Sequence, residues 1–195
     1  MESMLTLGHS NHDIGRFVEL LGLHGVNRVV DVRSAPYSRY SPQFNRESLA
    51  RSLADADIEY RFFGQELGGR PPEPECYDDA SHVLYQRLEQ TDRFRSGIEQ
   101  VIEMADFGWR ICLVCSEGNP TECHRFLSIG HHLLHNHSMD VRHIQPDGTI
   151  ESQSEIVARQ ETGKPHQYSL FEEESPRRSL QPVSPPRAPG SSSVS

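Results

Sequence analysis

The chain has 195 residues and a formal net charge of −9; at about 100–200 residues per domain, that length allows one compact domain with a real core. The acidic balance excludes a generally basic surface that coats nucleic acid, though not local arginine clusters. No apolar stretch reaches the roughly 18 residues of a membrane span and no basic-plus-apolar leader opens the chain, so no membrane association and a cytosolic location are expected.

Met4 to Leu7 reads as a first strand ending at Gly8. Asn11 or Asp13 then caps a helix with Ile14, Phe17, Val18 and Leu21 on one face, stopped by Gly25. Arg28 to Val32 reads as the second strand, and Asn45 as the cap of a helix stapled by Phe44 and Leu49. Ile58 to Phe62 reads as a third strand, followed by a long loop from Gly64 to Ala80. Phe94, Ile98, Val101, Ile102 and Ala105 line a helix leading to Ile111–Cys115, an unbroken apolar run suited to a strand buried on both faces. Asn119 and Pro120 open a further helix, and Val141 to Ile144 closes the series. This alternation predicts an α/β fold: a mainly parallel sheet of about five strands with helices on both faces.

From Glu151 the composition shifts to Ser, Pro, Gln and Glu and ends in SPPRAPGSSSVS. Such a segment cannot repay its ordering entropy, so a domain over 1–150 and a disordered tail over 151–195 are expected. Within the tail, Gln167, Leu170 and Phe171 form a pattern that resembles the Gln-x-x-Leu-Phe peptide with which bacterial replication and repair proteins dock the sliding clamp. Leu170 and Phe171 would fill an apolar pocket while Gln167 bonds at its rim.

Polar residues collect where the strands end. After the successive strands come His9 and Ser10; Asp31 and Arg33; Glu66 to Arg70; Cys115, Ser116 and Glu117; and Gln145 to Gly148. In a parallel sheet these carboxyl ends form one rim, outside which ligands bind. Cys76, Cys112, Cys115 and Cys123 are expected as free thiols. Cys112 and Cys115 are not read as a redox or zinc pair, because residues three apart on a strand point to opposite faces. His131 and His135 share a helical face, yet solvated or dipole-favoured histidines account for them, and no metal site is assigned. There is no Walker loop and no Gly-x-Gly-x-x-Gly after the first strand, and no cofactor is implied.

The blocks TLGHS, DVRSAPYSRYSPQFN, ELGGR, LVCSEGNPTECHR and HIQPDG, in order over residues 4–150, resemble the bacterial domain-of-unknown-function family 488. The resemblance implies a shared fold and a shared site. The chemistry has to come from the residue types. Arg33, Arg39, Arg70 and Arg125 are fork donors for phosphate or carboxylate, with Ser10 beside them. Asp31 and Glu117 are candidate general bases, and His9 and His124 candidate proton carriers. Cys115 is a candidate nucleophile. The leading expectation is an enzyme, of hydrolase or nuclease type, acting on a phosphate-bearing nucleotide or nucleic acid and recruited to DNA for replication or repair through the clamp-binding tail. A non-catalytic nucleic-acid or clamp-associated adaptor, and a thiol-dependent enzyme using Cys115, are the alternatives.

Overall fold

The computed structural model describes residues 4–162 and 176–185. Strands β1 (Leu5–Gly8), β2 (Arg28–Asp31), β3 (Glu59–Phe62), β4 (Ile111–Cys115), β5 (Arg142–Ile144) and β6 (Ile150–Ser152) form one sheet in the order β3-β2-β4-β1-β5-β6. Every pairing is parallel except β5 with β6. Strands β1, β2 and β4 are buried at every position, which is why β4 reads as a continuous apolar run.

Helices α1 (Ile14–Leu23) and α2 (Arg46–Ala54) cover one face, packing Phe17, Leu20, Leu49 and Leu53 against Leu5, Leu7, Val29 and Val114. On the other face, α3 (Tyr85–Leu88), α4 (Asp92–Asp106) and α5 (His131–His137) set Leu88, Phe94, Ile98 and Leu133 against Val30, Ile111 and Leu113. Each such side chain contributes about 1.5–3 kcal/mol on burial. Cys112 belongs to the first face and Cys115 to the second, as strand alternation requires.

The segment after Asn119 departs from the expected helix. Asn119 accepts from the Thr121 N–H at 3.1 Å and Pro120 begins only a 3₁₀ turn, Pro120–Glu122. A π-helical stretch, Arg125–Gly130, then runs into α5. Asn45 likewise makes no side-chain cap for α2; its Oδ1 accepts instead from Ser38 N–H at 2.7 Å, tying down the loop after β2.

Ordered structure continues past the boundary expected at Ile150. Residues Gln145 to Thr149 turn the chain into β6, and α6 (Gln153–Thr162) follows directly. Gln153 and Ile156 are buried, and Gln153 bonds to His143 at 2.9 Å and to Phe126 O at 3.2 Å. Two buried anchors and these bonds hold a segment whose composition alone reads as tail. Residues 176–185 lie against the loop before α3, with Ser179 N donating to Val83 O and Tyr85 N to Arg177 O. Gln167, Leu170 and Phe171 lie outside the described residues. Among the described residues, no helix is long and apolar enough to cross a membrane.

The chain leaves β1 toward β2 on one side and leaves neighbouring β4 toward β5 on the other. Adjacent strands whose connections diverge open a crevice at their carboxyl ends.

Candidate active site

That crevice holds two adjoining clefts. One, of about 430 Å³, is lined by Arg33, Gly69, Arg70, Tyr85, Cys115, Glu117, Cys123 and His124 among others. The second, of about 380 Å³, is lined by His9, Ser10, Arg33, Tyr37, Ser116 and Glu117 with neighbouring loop residues. Arg33, Ala35, Tyr37, Ser116 and Glu117 wall both. The loops after β1, β2, β3 and β4 thus converge as expected, but the turn after β5 does not line either cleft. It bonds instead to α1, Arg16 donating to Pro146 O and His24 to Gly148 O.

The floor of the larger cleft is a cluster of two thiols and an imidazole. The Nε2 of His124 lies 3.0 Å from Val32 O. A carbonyl only accepts, so Nε2 carries the proton and Nδ1 presents a lone pair. That lone pair lies 3.8 Å from Cys115 Sγ and 3.7 Å from Cys123 Sγ. All three side chains are buried and meet the cleft at one edge. Gly69 allows the loop after β3 to close over the imidazole: a Cβ there would lie 2.9 Å from the ring. The three donor atoms lie within 4.8 Å of one another, close enough to share one soft cation.

The four thiols differ sharply. Burial raises Cys76 to about 11 and pushes Cys112 higher still. Cys115 is held well below the usual thiol range: the adjacent Cys123 thiol outweighs the opposing effect of burial, and Arg125 and His124, once it holds the thiol proton, add positive potential. Cys123 is driven the other way by burial and by the adjacent Cys115 sulfur.

Several expected roles change once bonding partners are counted. Asp31 is not available as a base. Its Oδ1 accepts from Arg33 N at 3.1 Å and Nε at 2.8 Å, and its Oδ2 from Arg33 Nη2 at 2.5 Å and Tyr60 OH at 2.8 Å. Asp31 therefore positions Arg33, whose Nη1 has no hydrogen-bond partner among the described residues. Arg125 is not a substrate donor either. It is fully buried, and its two terminal guanidinium nitrogens donate to the carbonyls of Glu117 and Gly118, while Nε has no partner among the described residues. It fixes the loop after β4, which passes so close to Gly8 that a Cβ there would sit 1.8 Å from Glu117 O.

Arg39 is exposed and lines neither cleft, whereas Arg70 is exposed at the mouth of the larger one. Glu117 is exposed and walls both. His9 stacks on Phe44 at 4.3 Å, and its Nδ1 donates to Ser10 O at 3.0 Å, leaving Nε2 as a lone pair. Burial lowers its pKa, so this imidazole is neutral at pH 7. Ser10 adopts a left-handed backbone, φ 45°, which turns the loop after β1.

These residues fall within a recognisable segment. The chain belongs to the family described as Domain of unknown function DUF488. The family model matches residues 13–128, which include Asp31, Arg33, Cys115, Cys123, His124 and Arg125, while His9 and Ser10 precede the match. No curated protein and no solved structure matches the chain.

Cys123, Tyr85 and the outer wall formed by Ser179, Leu180, Gln181 and Val183 are among the members of the site that sequence reasoning missed. The succession Cys123-His124-Arg125 was the available signal for the thiol. Nothing in SLQPV signals the wall, because Ser179 and Val183 are held by backbone bonds to Val83 and Ser81.

Proposed function

We propose that this DUF488 protein is a thiol-dependent enzyme in which Cys115 is the nucleophile. The observation that carries the reading is His124, with one ring nitrogen tied to Val32 O and the other facing the Cys115 sulfur at 3.8 Å. In that geometry Nδ1 takes the thiol proton, and the resulting imidazolium keeps a partner for each N–H, the thiolate and the carbonyl. Cys123, whose sulfur lies within 4.8 Å, favours the thiolate. Arg33, fixed by Asp31 and lining both clefts, offers its remaining donors to an anionic group of the substrate. The neutral Nε2 of His9 is placed in the adjoining cleft to accept a proton from the water or second substrate that releases the covalent intermediate.

This ordering replaces Asp31 as base with His124 and His9, and it keeps an anion-bearing substrate. The test is to incubate the full chain with a panel of activated acyl esters and phosphate esters and follow it by intact mass. A covalent adduct on Cys115 that is absent in Cys115→Ser, with turnover lost in His124→Gln, is the expected result. Turnover that survives in Cys115→Ser overturns the reading.

A further inference from the structure

The proposed nucleophile explains one thiol at the floor of the cleft and leaves the second with more capacity than a hydrogen-bond donor needs. The Nδ1 of His124 is almost equidistant from the two sulfurs, 3.8 Å from Cys115 and 3.7 Å from Cys123. Both sulfurs line the same cleft and lie within 4.8 Å of each other, while both cysteines are free thiols. The remaining two thiols are placed elsewhere: Cys112 points to the opposite face of the sheet and Cys76 lies in the loop before α3, and neither lines this cleft. One imidazole thus serves two sulfurs that can reach each other, at the edge of a solvent-connected cavity.

We infer that Cys115 and Cys123 are a reversible dithiol–disulfide pair, with Cys115 the peroxide-reactive thiol and Cys123 the resolving thiol. The inference rests on the reading of Cys115 as the reactive thiolate. In the first step the Cys115 thiolate attacks one oxygen of a hydroperoxide, the O–O bond breaks, and Cys115 becomes a sulfenic acid. The departing alkoxide or hydroxide takes the proton held at His124 Nδ1 and leaves as an alcohol or water. In the second step His124 accepts the Cys123 proton and the Cys123 sulfur attacks the Cys115 sulfur. The S–O bond breaks, water leaves with that proton, and a disulfide closes. Two thiols are oxidised by two electrons and one peroxide is reduced. A small-molecule or protein dithiol restores the pair by exchange. The disulfide form lacks the nucleophile, so the enzyme switches off under oxidant and on again under reductant.

The experiment treats full-length, pre-reduced protein with increasing hydrogen peroxide and reads intact mass and peptide maps, with Cys112→Ser as a control. The expected product has lost two hydrogens, carries one Cys115–Cys123 crosslink that dithiothreitol reverses, and forms equally in Cys112→Ser. Cys123→Ser should instead stop at a Cys115 sulfenic acid captured by dimedone, and Cys115→Ser should show neither product. If wild-type Cys115 is alkylated readily by iodoacetamide but peroxide yields no crosslink, the resolving role is overturned while the nucleophile stands. If a crosslink forms yet Cys115→Ser keeps full turnover, the enzyme reading fails while the pair stands. Protein that arrives with one cation across the three donors and is inert to peroxide also overturns the inference.

Discussion

Two buried histidines in this molecule do opposite things with the same ring. His143 on β5 is fully buried; its Nδ1 lies 2.7 Å from Thr6 Oγ1 and its Nε2 2.9 Å from Gln153 Oε1. Both nitrogens are satisfied by groups that exchange no protons near pH 7, so the ring pins the last hairpin and α6 to β1. His124 satisfies only Nε2 with a neutral partner and turns Nδ1 toward two thiols. Two arginines repeat the contrast. Arg125 directs two guanidinium nitrogens at backbone carbonyls under the loop after β4 and lines neither cleft, whereas Arg33 keeps a donor beside both. Burial and residue type do not separate structure from chemistry here; unspent bonding capacity that faces a cleft does.

The largest expected break in this contrast is at Arg125. Replacing it with Met removes two charge-assisted hydrogen bonds, each worth about 1.5–3 kcal/mol, and leaves two carbonyls unpaired. Urea unfolding should show a loss of roughly 3–5 kcal/mol; a loss below about 1 kcal/mol would mean the guanidinium is not holding the loop.

His143 sharpens the comparison through pH. Burial pushes its pKa down from 6.5 to about 4, so the unfolded chain binds the proton more readily than the folded one. Its contribution is complete above pH 6.5 and falls as pH drops toward 4, by about 3 kcal/mol at most. His131, also lowered by burial to about 4 but half-buried, adds a smaller loss over the same window. His143→Gln should flatten the pH dependence of unfolding between pH 6.5 and 4 and leave Cys115 reactivity intact. An unchanged slope would remove His143 from this role.

His124→Gln should do the reverse. Its stability cost is small, about 1 kcal/mol for the bond to Val32 O, while alkylation of Cys115 at neutral pH should slow by about tenfold or more as the thiolate loses its partner. The smallest structural change is Gly69→Ala, whose Cβ would press within 2.9 Å of the His124 ring. It should slow Cys115 alkylation through displacement of the imidazole, with unfolding altered by only about 1 kcal/mol. Wild-type alkylation in that variant would show that the loop can yield.

The sheet and its covering helices were legible because β1, β2 and β4 are buried on both faces and α1 and α4 carry regular apolar stripes. Strand β6 and helix α6 were not: IES is half-buried throughout, and α6 buries only Gln153 and Ile156 in a polar sequence. Around the clefts, His9, Arg33 and Cys115 were readable from their places at strand ends, and His124 from its place just after the Asn119-Pro120 turn. Cys123 was not recognised as the partner of Cys115, because only the Pro120–Glu122 turn folds it back to that sulfur. Asp31 and Arg125 show the limit of residue type: a charged side chain announces capacity, and only its contacts reveal where that capacity is directed.

The most direct test is the pH–rate profile of iodoacetamide labelling of the folded full-length chain, resolved residue by residue by mass spectrometry. The account predicts that Cys115 is labelled first and that its rate reaches a plateau with a midpoint clearly below the ordinary thiol range, a midpoint that rises in His124→Gln. Labelling spread evenly over Cys76, Cys112, Cys115 and Cys123, or a Cys115 midpoint at the ordinary thiol value, would contradict it.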